Sequence, residues 1–382
     1  MMLPNGWKKV KLGDVAKVTS GGTPLRTQSE YWNGNIPWVK TAQIQNGYIS
    51  KDQVDEYITE LGVKESSAKI VPKGTLLMAM YGQGKTRGQV AILDIDATIN
   101  QACAAFHLKE DEVATQYLFQ YFLFNYENIR NLSNDGGQKN LSAEIIKKIP
   151  LDLPPIEEQK KIAATLSVWD SAIEKMEKLI EFKESQKKFL IKKLIEKQAE
   201  KAIKVGNVTI DKNKWKHERI GNVLKIGHGR DYKGLSLGKV PVFGSGGYMT
   251  SVDKFLHDGE TVCIGRKGTI DKPFYYKGKI WTVDTLFYTY DFKNVIPKFI
   301  YYVFCSIPWK IKNEAGGVPS LTSKIVENVE FYSPSLPEQQ IIVDVLSNAD
   351  DEISLLKQQL ENYKKQKQGL MQKLLTGQWR VK

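Results

Sequence analysis

The sequence predicts an α+β chain. It has two mixed α/β globular domains separated by two long helices that form an antiparallel coiled coil, and the whole is a pseudo-two-fold internal repeat. Three observations predict it. First, the chain repeats itself: WKKVKLGDVAKV (7–18) returns as WKHERIGNVLKI (215–226), and GGQKNLSAEIIKKIPLDLPPIEEQ (136–159) returns as GGVPSLTSKIVENVEFYSPSLPEQ (316–339). Second, the segment after each later copy carries apolar residues in alternating steps of four and three. Third, the remainder is short β-like runs broken by turns rich in glycine and proline.

The repeat sets the organisation. Its start is offset by 208 residues and its end by 180, so the first copy carries 28 extra residues between about Gly21 and Ala114. Each copy therefore has a uniform tail, suited to a shared structural task, and a divergent front, suited to two different ligands or target sequences. The divisions expected are a globular domain over 1–152, a long helix over 153–204, a second globular domain over 205–332 and a second long helix over 333–382. Each front opens with a tryptophan and β-like runs, Val10–Val18 and Leu224–Ile226. Further strands run over Gly74–Tyr81 and Thr261–Ile264, and each front closes with an aromatic helix, Thr115–Asn131 or Pro297–Lys312.

The tails read as helices with clear starts. Pro154-Pro155 precedes the first, and a first turn tolerates proline because its N–H groups lack helical partners. Ser335 and Glu338 have capping-box spacing at the start of the second, and Gly377 suits its end. The first seam runs through Ile162, Leu166, Trp169 and Ile173, and the second through Ile342, Leu346, Ile353 and Leu356. At about 40 residues, each helix spans roughly 60 Å. Both seams are interrupted, by Lys183 and Lys187 in one helix and Lys367 in the other. Such a break is either a solvated stretch where helices splay or a polar layer that fixes register or receives a partner helix. The run KKFLIKKLIEKQAEKAIK (187–204) reads as a charged, wet helix face. Antiparallel pairing would return the chain to its start, with the globular domains at opposite ends and their binding surfaces inverted.

Composition bounds the function. With 55 Lys+Arg against 43 Asp+Glu, the formal charge of +12 favours a polyanionic partner, nucleic acid before a membrane surface. The cysteines, Cys103, Cys263 and Cys305, are scattered in apolar runs without metal or disulfide spacing, so each is expected to be a buried small hydrophobe in a reducing interior. With no apolar run of membrane-spanning length and no signal-peptide pattern at the start, a cytoplasmic location is expected, away from membranes.

One loop invites a nucleotide. In YGQGKTRGQVA (81–91), Gly84-Lys85-Thr86 ends like a phosphate loop, but the motif's first glycine position is Ala79 and the residues that follow read as a strand, not a helix. Its counterpart in the second copy is IGRKGTIDKPFYY (264–276), also glycine-rich and basic after a strand. Such loops let a backbone approach a phosphodiester and let Lys or Arg enter a groove. Arg can also address guanine bidentately, and Gln can pair with adenine. Gln83, Lys85 and Arg87, with Arg266 and Lys267 in the second domain, are therefore candidate DNA contacts, against the alternative of ordinary solvated hairpins. Thr23, Lys40, Tyr81 and Lys139 in the first domain, and His228, Arg230, Tyr232 and Lys233 in the second, extend the set through the neighbouring polar and basic turns.

No catalytic constellation is legible. Leu153-Pro154-Pro155-Ile156 lacks the polar and aromatic flanks of an adenine methyltransferase motif, no Pro-Asp pair offers a nuclease signature, and the four histidines show no metal or triad spacing. No cofactor is expected.

The paired LPPIEEQKKIAATLSVWDSAIE and SPSLPEQQIIVDVLSNADDEIS, the C-terminal QKQGLMQKLLTGQWRVK and the GGTP…YWNGNIPWVK entry resemble the specificity subunit of a type I restriction–modification enzyme over the whole chain. The resemblance implies a non-catalytic subunit with two target-recognition domains, each reading one half of a split double-stranded DNA target, and helices that set the gap. It implies docking of methylation subunits, two per chain, around the seam residues named above, and of restriction and motor subunits that use ATP. Two other classes are compatible with the residues: a coiled-coil scaffold that binds RNA or protein through its globular domains, and an enzyme with an unfamiliar site.

Overall fold

The computed structural model describes residues 4–82, 84–132, 140–196, 201–206, 208–313 and 315–381. The chain divides into two compact units, Met1–Met176 with Gln359–Lys382, and Glu177–Gln358. Each unit therefore joins one globular domain to parts of both long helices.

The first unit is built on a five-stranded sheet of β1 (Ala16–Ser20), β2 (Gly47–Ile49), β3 (Leu76–Ala79), β4 (Val90–Leu93) and β5 (Cys103–Leu108), in the order β1-β5-β3-β4-β2. Its pairs are antiparallel except β2 with β4. Leu76, Met78, Val90 and Ile92 point from one face into the main core, and Leu77, Ala79, Ala91 and Leu93 from the other into a second cluster. Burial on both faces explains why these strands read as continuous apolar runs. Helix α1 (Thr115–Phe124) covers the main core with Tyr117, Leu118 and Phe122. The expected longer helix is interrupted at Asn125, whose amide bonds the Tyr121 carbonyl at 3.0 Å, and resumes over Tyr126–Asn131.

The first long helix, α2, covers Ile156–Ile195. The second unit then repeats the plan with β6 (Lys225–His228), β7 (Leu237–Gly244), β8 (Gly247–Val252), β9 (His257–Gly265), β10 (Phe274–Thr282) and β11 (Leu286–Tyr290), ordered β6-β11-β9-β10-β7-β8. Again one pair, β7 with β10, is parallel. Helix α3 (Pro297–Ser306) takes the place of α1, and the second long helix, α4, covers Leu336–Leu375.

The sequence match of Gly13 with Gly221 has a packing cause. Each lies in a one-turn helix, Leu12–Val15 or Ile220–Val223, that interrupts what reads as one β run from Val10 to Val18 or precedes the strand at Lys225. A Cβ on Gly13 would lie 3.2 Å from the Lys147 carbonyl, and one on Gly221 would lie 3.3 Å from that of Glu327, so a side chain at either position would require the facing helical turn to move by a few tenths of an ångström.

Within each unit the long helices pack antiparallel. In the first, Ile162 and Leu166 share a core with Leu374 and Met371, and the Trp169 ring meets Tyr363 edge-on at 5.8 Å. In the second, Ile191 and Leu194 share a core with Ile342 and Leu346. Ile162, Leu166, Ile342, Leu346 and Ile353 are buried, whereas Trp169, Ile173 and Leu356 are half-buried. Each fully buried aliphatic side chain contributes about 1.5–3 kcal/mol.

The lysines that break the seam are neither splayed nor solvated. Lys183 bonds Glu352 at 2.6 Å, Lys187 pairs with Asp350 and Lys367 with Asp170, so the polar-layer alternative holds.

The helix ends have identifiable causes. At the start of α4, the Glu338 carboxylate accepts the Ser335 N–H at 3.0 Å, as capping-box spacing predicts. Beyond its end, Gly377 has φ +70°, and its N–H reaches the Leu374 carbonyl at 3.3 Å. Helix α2 stops earlier than the charged run to Lys204 suggests. The buried Lys212 ammonium donates to the carbonyls of Lys193, at 2.7 Å, and Glu196, satisfying terminal acceptors that lack helical partners. Ala202–Val205 is then a strand paired with Val208–Asp211, not helix.

Cys103 and Cys263 are buried as expected, while Cys305 is half-buried. Burial pushes the Cys305 thiol up to about 11, so it stays protonated at neutral pH. Among the described residues, no helix is long and apolar enough to cross a membrane.

Candidate nucleic-acid interface

The glycine-rich loop of the first domain joins β3 to β4, a strand–loop–strand geometry without the following helix that a phosphate loop requires. Gly84 and Gly88 have φ +61° and +84°, which lets the loop fold back sharply, and the Gly88 N–H bonds the Ala79 carbonyl at 2.8 Å. Arg130 donates to the Gly84 carbonyl and the Tyr126 hydroxyl to that of Lys85. The backbone is thus pinned while the Lys85 side chain is exposed. Tyr81 is also exposed, at 39%, and Arg87 is half-buried. Gln83 and Lys139 lie outside the described residues.

The equivalent loop of the second domain joins β9 to β10 at the same place in its sheet. Arg266 and Lys267 sit at its start. The Arg266 N–H bonds the Thr285 carbonyl at 2.8 Å, its guanidinium Nη1 bonds the Asp284 carbonyl at 3.2 Å, and its own carbonyl accepts the Leu321 N–H at 2.8 Å. Gly265 is dictated by space, since a Cβ there would fall 2.0 Å from the Thr269 carbonyl. A cleft of about 220 Å³ brings Arg266 and Lys267 together with His228, whose ring stands edge-on to Phe287 at 5.0 Å. A larger neighbouring cleft of about 740 Å³ is lined by Tyr232 and Lys233, by the β7–β8 tip and by Asp284 and Thr285. Five of the six second-domain candidates therefore line two neighbouring clefts, and Arg230 lies in the loop between His228 and Tyr232.

The first-domain candidates divide. Thr23 is half-buried, its hydroxyl donating to the Gln101 amide oxygen. Lys40 is held by Asp55 at 3.0 Å and by Glu56 at 2.5 Å. Burial pulls its ammonium pKa down, but the Glu56 and Asp55 carboxylates outweigh that and raise it above its ordinary value. Glu56 in turn pairs with Arg26, which stacks 3.8 Å from the Trp32 ring centroid. Lys40 is therefore already neutralised inside the domain and is a poor candidate for a phosphate.

Two residues that sequence reasoning missed hold the candidate loops in place. The Trp38 indole N–H bonds the Gly22 carbonyl at 2.9 Å, and the Trp281 indole N–H bonds the Arg230 carbonyl at 2.9 Å. Gly22 and Arg230 are 208 residues apart, the offset of the front of the repeat. The two tryptophans come from different strands, so the sequence alignment of the copies gives no sign of the shared role. The arrangement can present exposed cations on a rigid backbone. Among the described residues, no group of three or more His, Cys, Asp and Glu side chains could hold a metal.

Known proteins place the chain. It is 27% identical, over 99% of its length and 95% of the relative's, to the type I restriction enzyme MjaIX specificity subunit of Methanocaldococcus jannaschii. The fold matches that of a type I restriction–modification S subunit from M. genitalium, with a TM-score of 0.64 and 17% identity over 98% of both chains. It also matches a chain from a structure concerning complex assembly and conformational transition of the type I R-M system, with a TM-score of 0.60 and 16% identity over 98% of this chain and 99% of that one. Residues 4–184 and 212–364 match the description of the type I restriction modification DNA specificity domain, and the chain belongs to that family.

Proposed function

We propose that the chain is the non-catalytic DNA-reading subunit of a type I restriction–modification complex, in which each globular domain recognises one half of a split duplex target. The observation that carries the proposal is the equivalent placement of two basic, glycine-rich loops, β3–β4 and β9–β10, at the same position in two related sheets whose surroundings differ. A shared scaffold with unlike surfaces suits two different half-sites. Exposed Lys85 and Lys267 supply sequence-independent attraction to phosphates, and Arg266 supplies a donor fork for a base edge.

The paired helices set the unread gap, so that binding of one half-site makes the second contact intramolecular. They also dock methylation subunits, two per chain, and through them the restriction and motor subunits. In the second unit, α2 leaves Leu179, Phe182 and Phe189 exposed at 39%, 64% and 63%. The first two are neighbours on one helical face, and Phe189 follows Phe182 by a heptad. That is an apolar surface of the kind a partner covers.

The test is binding by the chain, assembled with its methylation subunits, to duplexes carrying the split site. Salt-dependent affinity that falls at least tenfold when the gap changes by one or two base pairs is expected. Affinity indifferent to the gap, or preferential binding to RNA, would instead favour a scaffold.

A further inference from the structure

The second domain's larger cleft carries a feature at odds with a purely phosphate-binding surface. It is lined by Asp284, which is exposed and has no hydrogen bond or ion pair to its carboxylate among the described residues. Around it stand Lys233 and, through the guanidinium contact to the Asp284 carbonyl at 3.2 Å, Arg266. Asp231, the other acid of the cleft, is already engaged, its carboxylate accepting the Lys233 N–H at 3.1 Å. Asp284 has no such local task.

An unpaired carboxylate beside DNA repels phosphates, by about 1 kcal/mol per charge at 4 Å even in water. It also has acceptors only, and the groups in the major groove that can donate to it are the exocyclic amines of cytosine and adenine. Arg266 beside it has donors only, matched to guanine O6 and N7. The cleft, at about 740 Å³, has room for a base edge, and Gly246 and Gly247 at the β7–β8 tip line it without side chains. The half-buried Tyr232 and the exposed Tyr248 flank it.

We propose that Asp284 is a specificity-determining residue: its carboxylate accepts a hydrogen bond from the exocyclic amino group of one cytosine or adenine in the half-site read by the second domain. The inference rests on the proposed reading of DNA by that domain. Asp284 selects by rejection as well as by attraction, since a keto oxygen at that position would face a carboxylate oxygen with no proton between them. In the first domain the turn before β5, Asn100-Gln101-Ala102, carries no acid, so the discrimination belongs to one half-site only.

The experiment maps methylated sites across the genome of cells expressing the complete system with wild-type chain, Asp284→Asn or Asp284→Ala, alongside thermal melting of each purified complex. Asn can donate as well as accept, so D284N is expected to admit keto bases at one position of one half-site, with the preference there falling about tenfold or more. D284A should relax the same position, while the other half-site and the melting temperature stay unchanged. An unaltered motif in both variants overturns the inference. So does loss of all methylation at unchanged melting temperature, which would make Asp284 necessary for binding rather than for choice among bases. Failure of the underlying reading looks different: the wild-type chain itself would then give no split motif.

Discussion

The Lys187 ammonium is ion-paired with Asp350 across the two long helices, and 180 residues away in each direction Lys367 pairs with Asp170. The two pairs are the same interaction written once in each unit. Each carboxylate also takes a hydrogen bond from the globular domain of its unit, Asp350 from the Tyr302 hydroxyl at 2.7 Å and Asp170 from the Gln120 amide at 2.5 Å. The layers therefore tie helix to helix and helix to domain at once. Removing one partner leaves a largely buried charge alone. Asp350→Ala should destabilise the second unit by about 1–3 kcal/mol, whereas the double change K187M/D350L should cost much less. Denaturant unfolding of the full chain, followed by a probe in each unit, checks this.

Gln159 and Gln339, both fully buried, each staple the first turn of a long helix to the loop before the aromatic helix of its domain. Gln159 accepts the Ala114 N–H at 2.9 Å and donates to the Glu112 carbonyl at 2.8 Å and that of Pro154 at 2.9 Å. Gln339 does the same with Ile296, Asn294 and Pro334. Replacing either by alanine orphans one buried and two partly buried backbone groups and should cost about 2–4 kcal/mol. The exposed Gln186→Ala should stay within about 0.5 kcal/mol. Unfolding midpoints of the three variants decide the matter.

Arg380 grips Glu158 at 2.6 and 2.8 Å, and the Trp7 indole N–H bonds the same carboxylate at 3.3 Å. Burial raises the Glu158 pKa, but Arg380 more than offsets it and holds the carboxyl below its ordinary value of 4.5. A folded-state pKa below the unfolded one means a stability contribution that is complete above that ordinary value and lost as pH falls toward the folded value. Wild-type stability should therefore fall more steeply below about pH 4.5 than that of Glu158→Gln. Urea midpoints measured across pH 3 to 6 test it, and parallel curves would contradict it.

Much of this was legible because long helices and repeats are strong signals. The heptad spacing from Ile162 and Ile342 locates both long helices, and the match of Gly13 with Gly221 reflects a close approach of two helical turns. The β3–β4 and β9–β10 loops match in sequence through their glycines and cations, and they occupy the same position in the two sheets. What escaped depends on contacts distant in sequence. Nothing around Lys212 announces that it caps α2 and ends it at Ile195. Trp38 and Trp281 serve one role from different strands, so aligning the copies separates them. Lys40 looks like an available cation until the fold brings Asp55 and Glu56 to it. The break at Leu12–Val15 inside a β-like run reflects packing against Ala143–Lys147, which no local propensity records.

Lys85 and Lys40 should separate by salt dependence. Lys85→Ala removes an exposed cation, so it should reduce the slope of log affinity against log salt by about 1 and leave melting unchanged. Lys40→Ala breaks an internal network, so it should lower the stability of the first domain and leave the slope alone. DNA titrations at several salt concentrations, with melting curves, distinguish them.

The proposed function requires the two domains to read separate halves of one DNA target. The most direct measurement replaces residues 205–332 with the corresponding segment of another family member and maps methylated positions genome-wide in cells expressing the complete system. A split motif is expected in which one half changes while the other half and the gap persist. A motif that changes in both halves, or in neither, would contradict it.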